Sequence, residues 1–137
     1  MSGSAGHFTF TKIIVSDVDA LAGFYREIFG LREVHRVRQG EGEGELDEII
    51  MGPPGEGPPV PGLVIQRYPN RPVPVPGEAT LGFVVGDLDA VVAAASARGA
   101  TVTRAAETQA QHGVRVAFIK DPDGHLVELV QMLQAGA

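Results

Sequence analysis

Apolar residues recur along the chain with two different spacings. The runs Phe8 to Val15 and Leu81 to Val85 are strand-like. Each gives way to a helical spacing: Val18, Leu21, Phe24/Tyr25 and Ile28 in the first stretch, and Leu88, Val91, Val92 and Ala95 in the second. Asp17 and Asp87 are N-cap residues, able to accept from the unpaired N–H groups of a first turn. Asp19 and Asp89 add negative charge at the positive end of each helix dipole. Gly30 and Gly99 stand where the helices stop. After each helix come three shorter runs: Glu33 to Arg38, Leu46 to Met51 and Leu63 to Tyr68, then Thr101 to Arg104, Val114 to Ile119 and Leu126 to Met132. Asp121-Pro-Asp-Gly124 is a turn between the last two.

The two series match. Val15-Ser-Asp-Val-Asp-Ala-Leu21 recurs as Val85-Gly-Asp-Leu-Asp-Ala-Val91, 70 residues on. The expected architecture is therefore α+β, two tandem βαβββ modules at about 8–68 and 79–132, joined by a crossing at 69–78. The 18 Gly and 10 Pro of the 137 residues concentrate in Gly40 to Gly62 and Pro69 to Gly77. The alternating prolines of Asn70-Arg-Pro-Val-Pro-Val-Pro-Gly77 favour an extended crossing. Neither stretch separates independent units, so residues 1–137 are expected to form a single domain.

Composition removes several classes of function. With 11 Lys and Arg against 17 Asp and Glu the net charge is −6, and no basic cluster suits a nucleic acid. No run approaches the ~20 apolar residues of a membrane span, and Met1 to His7 lacks the features of a signal peptide. Without cysteine there is no disulfide, thiolate nucleophile or Cys-ligated metal. A soluble, cytoplasmic protein is expected. Glu41-Gly-Glu-Gly-Glu45 lacks the oxygen spacing of a Ca²⁺ loop, and there is no phosphate-binding loop, dinucleotide fingerprint or nucleophile elbow.

Three segments carry a resemblance to the vicinal oxygen chelate superfamily, which includes glyoxalases, bleomycin-resistance proteins and extradiol dioxygenases. They are Val15 to Asp19 leading into Phe24-Tyr-Arg-Glu-Ile-Phe-Gly-Leu31; Leu81-Gly-Phe-Val-Val-Gly-Asp-Leu-Asp89; and Phe118-Ile-Lys-Asp-Pro-Asp-Gly-His-Leu-Val-Glu-Leu129. The resemblance covers Phe8 to Met132. It implies a mixed sheet curled round a concave pocket with the helices outside, and a homodimer whose pockets are shared between chains. In metal-dependent members the ligands come from the first and fourth strands of each module. Counting back from Asp17 and Asp87 places Phe10 and Thr80 at the first-strand positions, and Glu128 matches the family carboxylate. In Leu63 to Tyr68 the alternation turns Val64, Gln66 and Tyr68 toward the cavity; a slip of one would put Ile65 there instead.

Phe cannot donate to a metal, Thr is a poor ligand and Gln a weak one. No metal or other cofactor is therefore expected, a divalent metal being the alternative. Glu128 shares its face with Leu126 and Val130, and Lys12 shares the concave face with Phe10. A Glu128 contact with Lys12 or Gln66 is either a structural pair or the setting of a general base or polar anchor. His112 begins the strand His112 to Phe118 and is either a proton-transfer group or a solvated strand end. Phe118 stands where ring-cleaving relatives tend to have Tyr. His7 and His35 read as exposed and His125 as structural. Phe24, Tyr25 and Phe29 read as core.

Two functions remain. In the first, a metal-free pocket binds a small organic molecule in the manner of the bleomycin-resistance branch. Phe10, Val64, Tyr68, Phe118 and Leu126 give apolar contact, Gln66, Thr80 and Glu128 fix orientation, and the acidic surface suits a cationic ligand. In the second, a glyoxalase-like lyase or isomerase uses Glu128 as base and His112 as acid, with Gln66 or Lys12 stabilising oxyanion charge. A metal-dependent lyase or dioxygenase is a more distant third.

Overall fold

The computed structural model describes residues 5–134. The reading of Met1 to His7 as free of a signal peptide falls partly outside them. Contacts divide the chain after Pro74 into two compact units, so the break falls inside the expected crossing.

In the first unit, β1 (Thr11–Ile14) leads through α1 (Val18–Phe29) to β2 (Arg32–Gln39), β3 (Leu46–Gly52) and β4 (Leu63–Arg67). The strand order is β1-β4-β3-β2, with β1 parallel to β4 and the other pairs antiparallel. The Asp17 carboxylate accepts from the Ala20 N–H at 3.0 Å and caps α1. At the far end Gly30 takes a left-handed φ of 69° and donates to Arg26 O, a conformation that a side chain would penalise. Val18, Leu21, Ala22, Phe24 and Tyr25 form the buried stripe of α1, with the Phe24 and Tyr25 rings edge to face at 5.2 Å. Burial of each large member contributes about 1.5–3 kcal/mol.

One ion-pair chain settles which face of this sheet the helix covers. Arg36, opposite Ile49 in the register, reaches Asp19 on α1 at 2.6 Å and Asp47 on β3 at 2.8 Å. Asp47, Ile49, Met51, Leu63 and Ile65 therefore lie on the α1 side. Lys12, Ile14, Glu48, Ile50, Val64 and Gln66 alternate onto the opposite, helix-free face.

The second unit repeats this plan with β5 (Thr80–Val84), α2 (Leu88–Ala97), β6 (Thr101–Gln109), β7 (Val114–Lys120) and β8 (Leu126–Met132), in the order β5-β8-β7-β6. Asp87 caps α2 by accepting from the Ala90 N–H at 3.1 Å. Arg115 reaches Asp89 on α2 at 3.1 Å, and the Leu88 N–H donates to the Gln131 side chain at 2.8 Å. Arg115, Ala117, Ile119, Val127, Leu129 and Gln131 thus share the α2 side. Phe118, Leu126, Glu128 and Val130 face away from the helix. In the turn before β8 the Asp121 carboxylate accepts from the Asp123 and His125 N–H groups and contacts the His125 ring at 2.9 Å, so His125 holds the turn as expected.

The strands form two four-stranded mixed sheets, one in each unit, as two βαβββ modules imply. Two expectations need correction. The first strand begins at Thr11, leaving Phe8 88 % exposed and Phe10 in the approach to it. β6 runs on to Gln109, through two register shifts; the polar, small-residue composition beyond Arg104 hid this continuation.

Candidate ligand-binding site

On the helix-free face of the first unit, one register row aligns Ile14, Gln66 and Glu48, and the next aligns Lys12, Val64 and Ile50. Glu48 is buried at 7 % exposure, and one of its oxygens, Oε1, accepts from Lys12 Nζ at 3.2 Å and from Gln66 Nε2 at 3.1 Å. Gln66 is itself only 4 % exposed. The Lys12 side chain remains 43 % exposed, so its ammonium group stays in reach of solvent or a ligand. Beside this cluster lies a hollow of about 190 Å³ lined by Phe10, Lys12, Glu48, Ile50, Pro61 and Val64. Its rim is held where Thr9 Oγ1 donates to Pro61 O at 3.2 Å and the Thr11 N–H to Gly62 O at 3.0 Å.

The unit thus brings together Phe10, Lys12, Val64 and Gln66, and turns Gln66 rather than Ile65 to the helix-free face. The carboxylate that Lys12 and Gln66 share is Glu48, where Glu128 was expected. Glu48 was not legible as a site residue. In Leu46-Asp-Glu-Ile-Ile-Met51 two acids are adjacent, and only the strand register shows that Asp47 turns to Arg36 while Glu48 turns to Gln66. Tyr68 follows β4 and borders a second hollow of about 240 Å³ with Ile14, Arg71, Pro72, Val73 and Pro74.

In the second unit, Thr80 pairs with Leu126, while Glu128 lies between Gly82 on β5 and Phe118 on β7. The missing side chain at Gly82 leaves space beside the half-buried Glu128 carboxylate, and Arg104 stands 5.9 Å from the Phe118 ring centre. Thr80 is exposed. His112 does not begin a strand; it closes a 3-10 turn, Ala110–His112, and is exposed. The left-handed Gly113, at φ 68°, separates it from β7. Four residue steps of β7 separate Val114 from Phe118, the partner of Glu128. At ~3.3 Å per residue that is about 13 Å, so His112 and Glu128 do not form a proton-sharing pair.

The registers also correct an assumed equivalence. Lys12 and Gly82 correspond in the 70-residue repeat, and they pair with Val64 and Glu128 respectively. Val64 is therefore the register counterpart of Glu128, whereas Gln66 corresponds to Val130.

A divalent ion, which the family's metal-dependent members hold, does not fit these residues. Phe10 offers no donor, Val64 none, and Thr80 only a hydroxyl. The buried carboxylate of the first unit already faces an ammonium group, which repels a second cation. Among the described residues no three His, Asp or Glu side chains cluster as a ligand set.

The profile of the Glyoxalase/Bleomycin resistance protein/Dioxygenase superfamily matches residues 4–129, and the chain belongs to that superfamily. A probable lactoylglutathione lyase of Vibrio parahaemolyticus is 32% identical over 98% of this chain and 96% of its own length. A protein of the same description from Vibrio cholerae is 29% identical over 93% of this chain and 91% of its own. Among solved structures, a glyoxalase family protein from Bacillus cereus superposes with a TM-score of 0.77 at 20% identity, covering 98% of this chain and 99% of that one. The trypanothione-dependent glyoxalase I of Leishmania major does so at 0.70 and 22%, covering 93% and 87%. At these identities the structural likeness establishes the fold alone.

Proposed function

We propose that this chain is a glyoxalase-fold protein that binds a small organic molecule without a resident metal, taking it on the helix-free face of the first unit. The observation that carries this reading is the double hydrogen bond at Glu48. A buried carboxylate fixed by Lys12 and Gln66 beside an apolar hollow is a preorganised polar anchor in an otherwise hydrophobic lining. Phe10, Ile50, Pro61 and Val64 supply the apolar contact, and the accessible Lys12 ammonium supplies a donor. On its own helix-free face the second unit offers Glu128 as polar anchor with Phe118 and Leu126, and Thr80 as a rim hydroxyl. A cytoplasmic homodimer completes the proposal, on the strength of composition and family resemblance.

A second reading is supported by the full-length relatives described as probable lactoylglutathione lyases. In it Glu128 acts as a base, while His112, far along β7, takes no proton from it. Metal analysis of the purified chain together with a lactoylglutathione lyase assay, with and without added Ni²⁺ or Zn²⁺, separates the two. The binding reading expects substoichiometric metal, no turnover in any condition, and ligand-induced thermal stabilisation that Glu48→Leu abolishes. Metal-activated turnover refutes it. Metal-independent turnover that Glu128→Gln abolishes favours the second reading.

A further inference from the structure

The hollow at Tyr68 lies on the same helix-free face as the Lys12–Glu48–Gln66 cluster, because Ile14, which lines it, shares a register row with Gln66 and Glu48. Its polar group is Arg71. The guanidinium lies 4.0 Å over the Tyr68 ring, and its Nε donates to Glu43 O at 2.6 Å. The turn that carries it is closed by the Arg71 N–H donating to Tyr68 O at 3.1 Å, and Pro72 and Pro74 stiffen the segment that follows. Stacked on one side and tied at Nε, the guanidinium is held in place while its two terminal nitrogens make no bond among the described residues.

Glu48 is matched by Lys12, whereas Arg71 contacts a carbonyl and an aromatic ring and pairs with no carboxylate among the described residues. A fixed, unspent guanidinium fork beside an apolar hollow is suited to two parallel hydrogen bonds with a carboxylate. Resting on the binding reading above, we infer that Arg71 and Tyr68 form an oxyanion subsite, and that the ligand class is a small carboxylate with an apolar body. The body lies toward Ile14 and the Phe10 hollow, and the carboxylate lies on Arg71. The acidic net charge of the chain therefore does not select a cationic ligand at this site.

The test compares 4-phenylbutyrate with 4-phenylbutanamide by isothermal titration calorimetry on the full chain. Wild type is expected to bind the acid about 10- to 100-fold more tightly than the amide, the usual range for a charge-assisted pair. Arg71→Gln should abolish that preference. Arg71→Lys should keep only part of it, and Lys120→Gln, at an exposed cation of the second unit, should leave it intact. Circular dichroism of each variant confirms folding. Equal binding of acid and amide, or a preference that survives Arg71→Gln or disappears in Lys120→Gln, overturns the Arg71 subsite but leaves the hollow as a binding site. If neither compound binds wild type while the chain is folded, the reading of the hollow fails, and the subsite with it.

Discussion

Replacing Glu48 by Leu strips the acceptor from the side-chain amide of Gln66, a residue only 4 % exposed. Leaving such a donor unsatisfied costs about 1–3 kcal/mol. Lys12 adds little, because its side chain is 43 % exposed and turns to solvent; an ion pair of that exposure contributes at most about 1 kcal/mol. Gln66→Leu in turn leaves the Glu48 carboxylate buried with one donor in place of two, at a similar cost of about 1–3 kcal/mol. The double variant Glu48→Leu/Gln66→Leu leaves no polar group stranded and adds apolar contact, so it should lie within about 1 kcal/mol of wild type. Glu48→Gln, which keeps an amide–amide bond, should lose less than about 1 kcal/mol. The assay is urea unfolding followed by tyrosine fluorescence. Both tyrosines, Tyr25 and Tyr68, lie in the first unit and the chain has no Trp, so the signal reports that unit. A double variant that loses as much as the two single variants combined would show that the sites are uncoupled and refute the reasoning.

Two further outcomes follow from the packing. Gly52→Ala places a Cβ 2.2 Å from the backbone oxygen of Val60, so the chain must shift; the expected loss is about 2 kcal/mol or more by urea unfolding. Pro61, which lines the hollow, follows Val60, so this substitution should also weaken ligand binding. The Asp19 carboxyl is held below its ordinary titration range chiefly by the hydrogen bond from Arg36. A lowered folded-state value means that the pair contributes fully above the unfolded value, near pH 4, and loses its contribution as pH falls through the lowered one. The stability difference between wild type and Asp19→Asn should therefore be small, salt-sensitive, present at neutral pH and gone in strong acid.

Local order is written in the chain itself. Asp17 and Asp87 cap the helices, Gly30 ends the first, and the spacing of Val18, Leu21, Phe24 and Tyr25 marks its buried stripe. The repeated heptapeptide foretold two matching units. The alternation of Val64 and Gln66 against Leu63 and Ile65 foretold which of them turn away from the helix, because strand periodicity is a property of the backbone alone. What alternation cannot supply is register, since that depends on which residues of distant strands meet. Only the paired strands join Glu48 to Gln66 and Lys12, make Val64 rather than Gln66 the register counterpart of Glu128, and move His112 off the strand onto a turn closed by Gly113. The polar cluster is assembled from residues 12, 48 and 66, and the hydrogen bonds that define it exist only once three strands lie side by side.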